Sequence, residues 1–146
     1  MTKEIVKELI LTYLDHIAPR LDLDTLAEEK ALLLLAQKLQ ITNYQVFTCR
    51  FRKEPKSLLA FLFVYLTEPD GIIAHKMFNL VNDLSWYFTQ KGVEVMPAIV
   101  PVLIYDGQED FEPKTLKQIY TTPERAPQFY FEYIDLKNKF NIVIGE

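Results

Sequence analysis

The hydrophobic positions of this chain change period several times, and each change marks an element. Val6, Leu9, Ile10, Tyr13, Leu14 and Ile17 recur at helical spacing, with Lys3, Glu8, Asp15 and His16 off that stripe. The spacing predicts a helix from about Thr2 to Ile17, stopped by Pro19. Thr25 and Glu28 then stand at capping-box spacing ahead of the run Ala31-Leu32-Leu33-Leu34-Leu35-Ala36. That predicts a second helix ending near Leu39, although a leucine run suits a buried strand as well. Tyr44 to Phe51 is aromatic and β-branched without helical period and reads as a strand.

After the polar turn Lys53-Glu54-Pro55-Lys56-Ser57 comes Leu58 to Leu66, which shows no alternation. Both of its faces should be covered, which places it centrally in a sheet, hairpin-linked to the strand before it. Asp70 is the expected N-cap of a long helix from about Gly71 to Lys91. Ile73, Met77, Leu80, Val81, Leu84 and Phe88 line one face of it, and Gly92 sits where a C′ glycine belongs. Trp86 and Tyr87 widen that apolar surface, so the helix is expected to pack on a neighbour as well as on the sheet.

Ala98 to Tyr105 is a third strand, in which Pro101 lacks a ladder donor and implies a bulge or an unpaired stretch. Asp106-Gly107 makes a turn, Lys114 to Tyr120 is a short helix, and Phe129 to Leu136 is a fourth strand. Asn138 to Glu146 receives no assignment. The order of elements predicts an α/β chain, an α+β mixed sheet with helices on both sides, as a single domain over 1–146.

Composition narrows the chemistry. Sixteen Lys plus Arg against twenty Asp plus Glu give a net charge of −4, so bulk charge does not support DNA binding. A single cysteine, Cys49, excludes an internal disulfide and a cysteine zinc site. The first residues show no secretory pattern, and the longest apolar run, Leu58 to Leu66, is far short of the roughly 20 residues that span a bilayer. A cytoplasmic protein with no membrane contact is the expectation.

Catalytic motifs are scarce. Neither a Gly-x-Ser-x-Gly elbow nor a Gly-rich phosphate loop occurs. Cys49 lies mid-strand among large apolar residues and reads as a buried, inert thiol. His16 and His75 are too far apart for a local metal motif, and His75, in the first turn of a helix, reads as a surface residue. Carboxylates remain: Glu68 and Asp70 bracket Pro69, and Asp106, Glu109 and Asp110 follow the third strand. Magnesium-assisted hydrolysis needs carboxylates converging on the ion, whereas a cap for Asp70 and a turn for Asp106 explain both without one.

Four stretches, in order, resemble one family. They are Leu21-Asp22-Leu23-Asp24-Thr25-Leu26, Thr67-Glu68-Pro69-Asp70, the strand Met96 to Gly107 with its Ile99-Val100-Pro101 and Tyr105-Asp106-Gly107, and Tyr133-Ile134-Asp135-Leu136. The chain resembles the recombination-promoting nucleases, a transposase-like family of the PD-(D/E)XK nuclease superfamily, over about Val6 to Leu136. The resemblance implies a restriction-endonuclease-like core and metal-dependent DNA cleavage in recombination. It also implies a magnesium ion held by an aspartate on one core strand and a Glu-x-Gln on the next. Here the aspartate position falls on Val46 (or Gln45, one residue earlier), and the Glu-x-Gln positions on Val64 and Leu66, with Tyr65 between them. The family's histidine before the strand-ending glycine becomes Asp106, and the segment that precedes helix one in the family is expected to be missing.

Valine and leucine offer no oxygen to a hard cation, so no catalytic or metal-binding residue is assigned, and no cofactor. The expected function is that of a degenerate nuclease, a pseudoenzyme acting by binding to a partner subunit, a regulator or DNA. The helix at 71–91 is the expected contact of a homo- or hetero-oligomer. The alternative is an active magnesium endonuclease with relocated ligands among Glu54, Glu68, Asp70 and Asp106, assisted by Lys53, Lys56 or Lys76. A third reading is an adaptor or inhibitor whose acidic stretch Gln108 to Glu112 imitates DNA or meets a basic partner.

Overall fold

The computed structural model describes residues 1–145 as a six-stranded mixed sheet with helices on both faces. Helix α1 (Lys3–Tyr13) is capped by Thr2, whose hydroxyl accepts from Ile5 N at 3.3 Å, and it buries Val6, Leu9 and Ile10. Strands β1 (Leu21–Glu29), β2 (Tyr44–Phe51) and β3 (Leu58–Leu66) form an antiparallel meander. The short helix α2 (Leu35–Lys38) lies in the β1–β2 connection, and helix α3 (Ile73–Lys91) crosses over from β3 to β4 (Ala98–Tyr105), parallel to β3. A second crossover through α4 (Leu116–Ile119) leads to β5 (Phe131–Asp135), parallel to β4, and β6 (Phe140–Ile144) returns antiparallel at the edge.

Strand alternation distributes the apolar side chains to two cores. Ala60, Leu62, Val64, Leu103 and Tyr133 pack under Ile73, Met77, Leu80 and Leu84 of α3. Leu59, Phe61, Phe63, Val102 and Ile134 pack under Val6, Ile10 and Leu14 on the α1 side. The uniformly apolar β3 therefore lies inside the sheet and is covered twice, as its lack of alternation predicts.

Several expectations need correction. The region predicted as a second helix is mostly β1 and extended chain, with one turn of helix left at Leu35–Lys38. Thr25 does not cap: its hydroxyl donates to Asp22 O at 2.6 Å and accepts from Arg50 N at 2.9 Å. The capping-box spacing thus serves a cross-strand bond, and an irregularity between Asp22 and Ala27 erases the alternation that would have marked the strand. In the leucine run Ala31 and Leu33 are buried while Leu32 and Leu34 are exposed, the period of extended chain. The first helix ends at Tyr13, and Leu14 to Arg20 turn and wind back to the sheet.

Asp70 is not the N-cap of α3. Ile72 holds that place without a side-chain bond, and Asp70 Oδ1 instead accepts from Ile72 N at 3.0 Å in the turn before it. Gly92 does adopt the left-handed C-terminal conformation, at φ 83°. Beside Pro101 the β3 register runs without a bulge, and pairing with β5 begins only at Val102, leaving the start of β4 unpaired on that side. Strand β6 arises where no element was assigned.

Candidate functional site

The three positions that the family resemblance assigns to metal ligands share one face of the sheet. Val46 pairs with Leu62 and Tyr44 with Val64, so Val46, Val64 and Leu66 all point toward α3. Val46 is 2% exposed and Val64 0%, and both lie in the core that includes Ile73 and Met77. Leu66 is half-buried against the same core. Gln45 and Tyr65 face the other way, toward α1, where the Tyr65 hydroxyl donates to Gln45 Oε1 at 2.8 Å. Gln45 is further held by the ammonium group of Met1 at 2.8 Å. Burial, and secondarily the charge of Glu28, pushes the Tyr65 hydroxyl well above its ordinary pKa.

The alternative carboxylates divide between the two ends of the sheet. Glu54 sits in the β2–β3 turn with exposed Lys53 and Lys56, bonded to Ser57 Oγ at 3.3 Å. Glu68, Asp70 and Asp106 gather at the opposite end, where Asp106 N donates to Leu66 O at 2.9 Å and ties the ends of β3 and β4 together. Glu68 and Asp106 are exposed, whereas Asp70 is mostly buried and engaged by Lys76 Nζ at 2.7 Å. Asp70 therefore sets the start of α3 with Lys76, and Lys76 is committed to it. Among the described residues, no three His, Cys, Asp or Glu side chains converge as a cation would require.

The stretch after Asp106 is folded down onto the sheet. Tyr105 Oη donates to Glu109 O and Tyr133 Oη to Phe111 O, each at 2.7 Å, while Lys137 Nζ donates to Gln108 O at 2.6 Å. The Phe111 ring packs between Tyr105 and Tyr133, with centroids 5.2 and 6.1 Å away. Burial first and the neighbouring carboxylates second raise both tyrosine hydroxyls, which keeps them neutral donors. Gly107 is buried at the turn, where an added Cβ would overlap the Tyr105 hydroxyl and lie 2.6 Å from Thr67 O. The carboxylates of Glu109, Asp110 and Glu112 thus project from an anchored loop.

Cys49 is fully buried, and burial pushes its thiol pKa up, as expected of an inert cysteine. His75 departs from the surface assignment: it is half-buried, bonded to Asn79, with its ring edge-on to Tyr120 at 6.2 Å. A cleft of about 500 Å³ between Thr115–Lys117 and Pro123–Phe129 contains none of the predicted site residues.

One polar cluster escaped the sequence reading. On the α1 face, Glu132 of β5 is 5% exposed and contacts His16 Nε2, while Asn141 of β6 donates to Tyr13 O at 2.7 Å. Its signal in the sequence is the lone charge at Glu132 inside Phe129-Tyr130-Phe131-Glu132-Tyr133-Ile134. A charge in a strand buried on both faces needs a partner from elsewhere in the fold. No helix among the described residues is long and apolar enough to cross a membrane. Comparison with family profiles, with curated proteins and with solved structures finds no match to this chain.

Proposed function

We infer that the chain is a catalytically degenerate recombination-promoting nuclease, with a PD-(D/E)XK core, that acts in the cytoplasm by binding. The observation that carries this reading is the shared apolar face of Val46, Val64 and Leu66 beneath α3. The strand arrangement supports it, since a mixed sheet with helices on both faces is what the resemblance implies. A divalent ion among those side chains would exchange its water ligands for hydrocarbon, at a cost of many kcal/mol. The carboxylates of the active-nuclease alternative offer no substitute cage, since Glu54 stands at one end of the sheet and Asp70 is held by Lys76.

Binding is assigned to the outer side of α3. Trp86 is 63% exposed there, and Leu34, also exposed, belongs to the segment tied to α3 by the bond from Leu35 N to Asp83 Oδ2. An exposed tryptophan is a residue type enriched at the interface centres of homo- and hetero-oligomers. The test is incubation of the purified chain with supercoiled plasmid and magnesium or manganese. No cleavage above that of a mock purification from cells not expressing the chain is expected. Metal-dependent nicking that is lost in Asp70→Asn or Asp106→Asn would overturn the reading in favour of an active nuclease with relocated ligands.

A further inference from the structure

At the β2–β3 end of the sheet the fold holds two arginines together. Arg52 N donates to Arg20 O at 3.0 Å, and Arg52 Nε donates to Leu21 O at 2.7 Å. The Arg20 guanidinium lies over the Phe51 ring, 5.8 Å from its centroid. Pairing of Leu21 with Phe51 fixes this arrangement, since each arginine is the chain neighbour of one member of that pair. A third arginine, Arg50, stands in the same region with its Nη1 on Pro55 O at 2.6 Å. Three of the chain's four arginines are therefore gathered at one end.

Arg20 and Arg52 line a cleft of about 440 Å³ together with Pro19, Phe51, Lys53 and Glu54. Among the described residues, none of Arg20, Arg52 and Lys53 forms an ion pair. The one carboxylate of the cleft, Glu54, accepts from Ser57 Oγ instead. Three cations against one anion leave two positive charges here, in a chain whose net charge is −4. Like charges held side by side repel, and an anion seated between them relieves that cost. Arginine's planar fork of donors suits phosphate in particular.

Charge and size narrow the class of ligand. A phosphate monoester carries about −1.5 to −2 at neutral pH, which matches the balance of the cleft, whereas a carboxylate brings half as much. The volume falls within the roughly 300–1,000 Å³ of small-molecule pockets, more than an inorganic ion fills. Pro19 and the half-buried Phe51 add an apolar wall, which calls for a flat, weakly polar portion beside the phosphate.

We propose that this cleft binds a small phosphate monoester with a planar ring, its phosphate met by Arg20, Arg52 and Lys53 and its ring laid against Pro19 and Phe51. A nucleoside 5′-monophosphate has this chemistry. The proposal stands apart from the degenerate nuclease reading, because none of Val46, Val64 and Leu66 lines the cleft.

The test is titration of the full chain with adenosine 5′-monophosphate, followed in amide NMR spectra, with adenosine and inorganic phosphate as controls. Saturable shifts centred on Arg20, Phe51, Arg52 and Lys53 are expected, with a dissociation constant on the order of 0.1–1 mM. Adenosine and inorganic phosphate should each bind at least about tenfold more weakly, since each lacks one half of the contacts. Arg20→Gln should weaken binding about tenfold, the scale of one lost charge-assisted bond. Because Arg20 also covers Phe51, Lys53→Gln provides a second variant: Lys53 is exposed and without a hydrogen-bond partner among the described residues. Its loss should weaken binding about threefold to fivefold, as for an exposed charge, with an unchanged unfolding midpoint. Absence of saturable shifts, an equal response to either control, or undiminished binding in both variants would overturn the proposal. A single-stranded dodecanucleotide binding far more tightly than the mononucleotide would also overturn it, in favour of a surface that tracks a nucleic-acid strand.

Discussion

The Tyr65 hydroxyl donates to Gln45 Oε1 across the β2–β3 pair at 2.8 Å, on the face turned toward α1. Strand alternation already turns Gln45 away from the face of Val64 and Leu66, and this bond holds it there, leaving Val46 on the same face as Val64 and Leu66. The slot beneath α3 is therefore lined by hydrocarbon from both strands.

Placing an acid there should destabilise the chain. Val64 is completely buried, so Val64→Glu would bury an unpaired carboxylate among Ile73, Met77 and Leu103. A loss of more than about 3 kcal/mol is expected, read as a shift of the urea midpoint with little change in slope. A variant as stable as the parent would show that the slot admits solvent or a counter-ion.

Gly107 is required by space. Gly107→Ala pushes a methyl group into the Tyr105 hydroxyl and the Thr67 carbonyl, neither of which can retreat without breaking the turn. Overpacking of this kind costs about 1–3 kcal/mol, measurable by thermal or urea unfolding. Tyr105→Phe should not rescue Gly107→Ala, because the ring carbon Cζ and the Thr67 carbonyl, the latter at 2.6 Å, still meet the added methyl group.

Glu29 gives the fold an acid-sensitive contact. Burial alone would raise its pKa, but hydrogen bonds from Lys91 and Tyr87 outweigh it and hold the carboxyl below its usual 4.5. A depressed folded value means stability that is present above the unfolded pKa and lost as pH falls through the folded one. Between neutral pH and about 4.5 this contact should contribute evenly, then weaken on further acidification. Glu29→Gln should make the unfolding midpoint less dependent on pH below that point, and an unchanged acid limb would show that Glu29 is not the group responsible.

Cys49 should resist thiol reagents. Its Sγ lies against Asp22 O at 3.1 Å in a fully buried site, and its thiolate is disfavoured by burial. Reaction with a disulfide reagent should follow unfolding, so that the rate rises sharply through the denaturation transition. Rapid labelling in native buffer would mean that β1 detaches locally from β2.

The amino-acid pattern by itself determined the elements whose signal is local. The stripe of Ile73, Met77, Leu80, Leu84 and Phe88 is periodic enough to set α3, and the apolar run at 58–66, without alternation and bounded by a polar turn, marks the covered strand β3. The burial of Cys49 was legible for the same reason, from its place among large apolar residues in a strand. Tertiary structure alone decided β1, because Thr25 and Glu28 carry a helix-start spacing that the pairing of Ala27 with Thr48 and Glu28 with Phe47 overrides. It also decided β6, a short edge strand whose pattern is weak until β5 lies beside it. Glu132, His16 and Asn141 come together only in the folded chain, since His16 and Glu132 are 116 residues apart in sequence. Periodicity records what one segment prefers, whereas pairing energy between distant segments exists only once the sheet has formed.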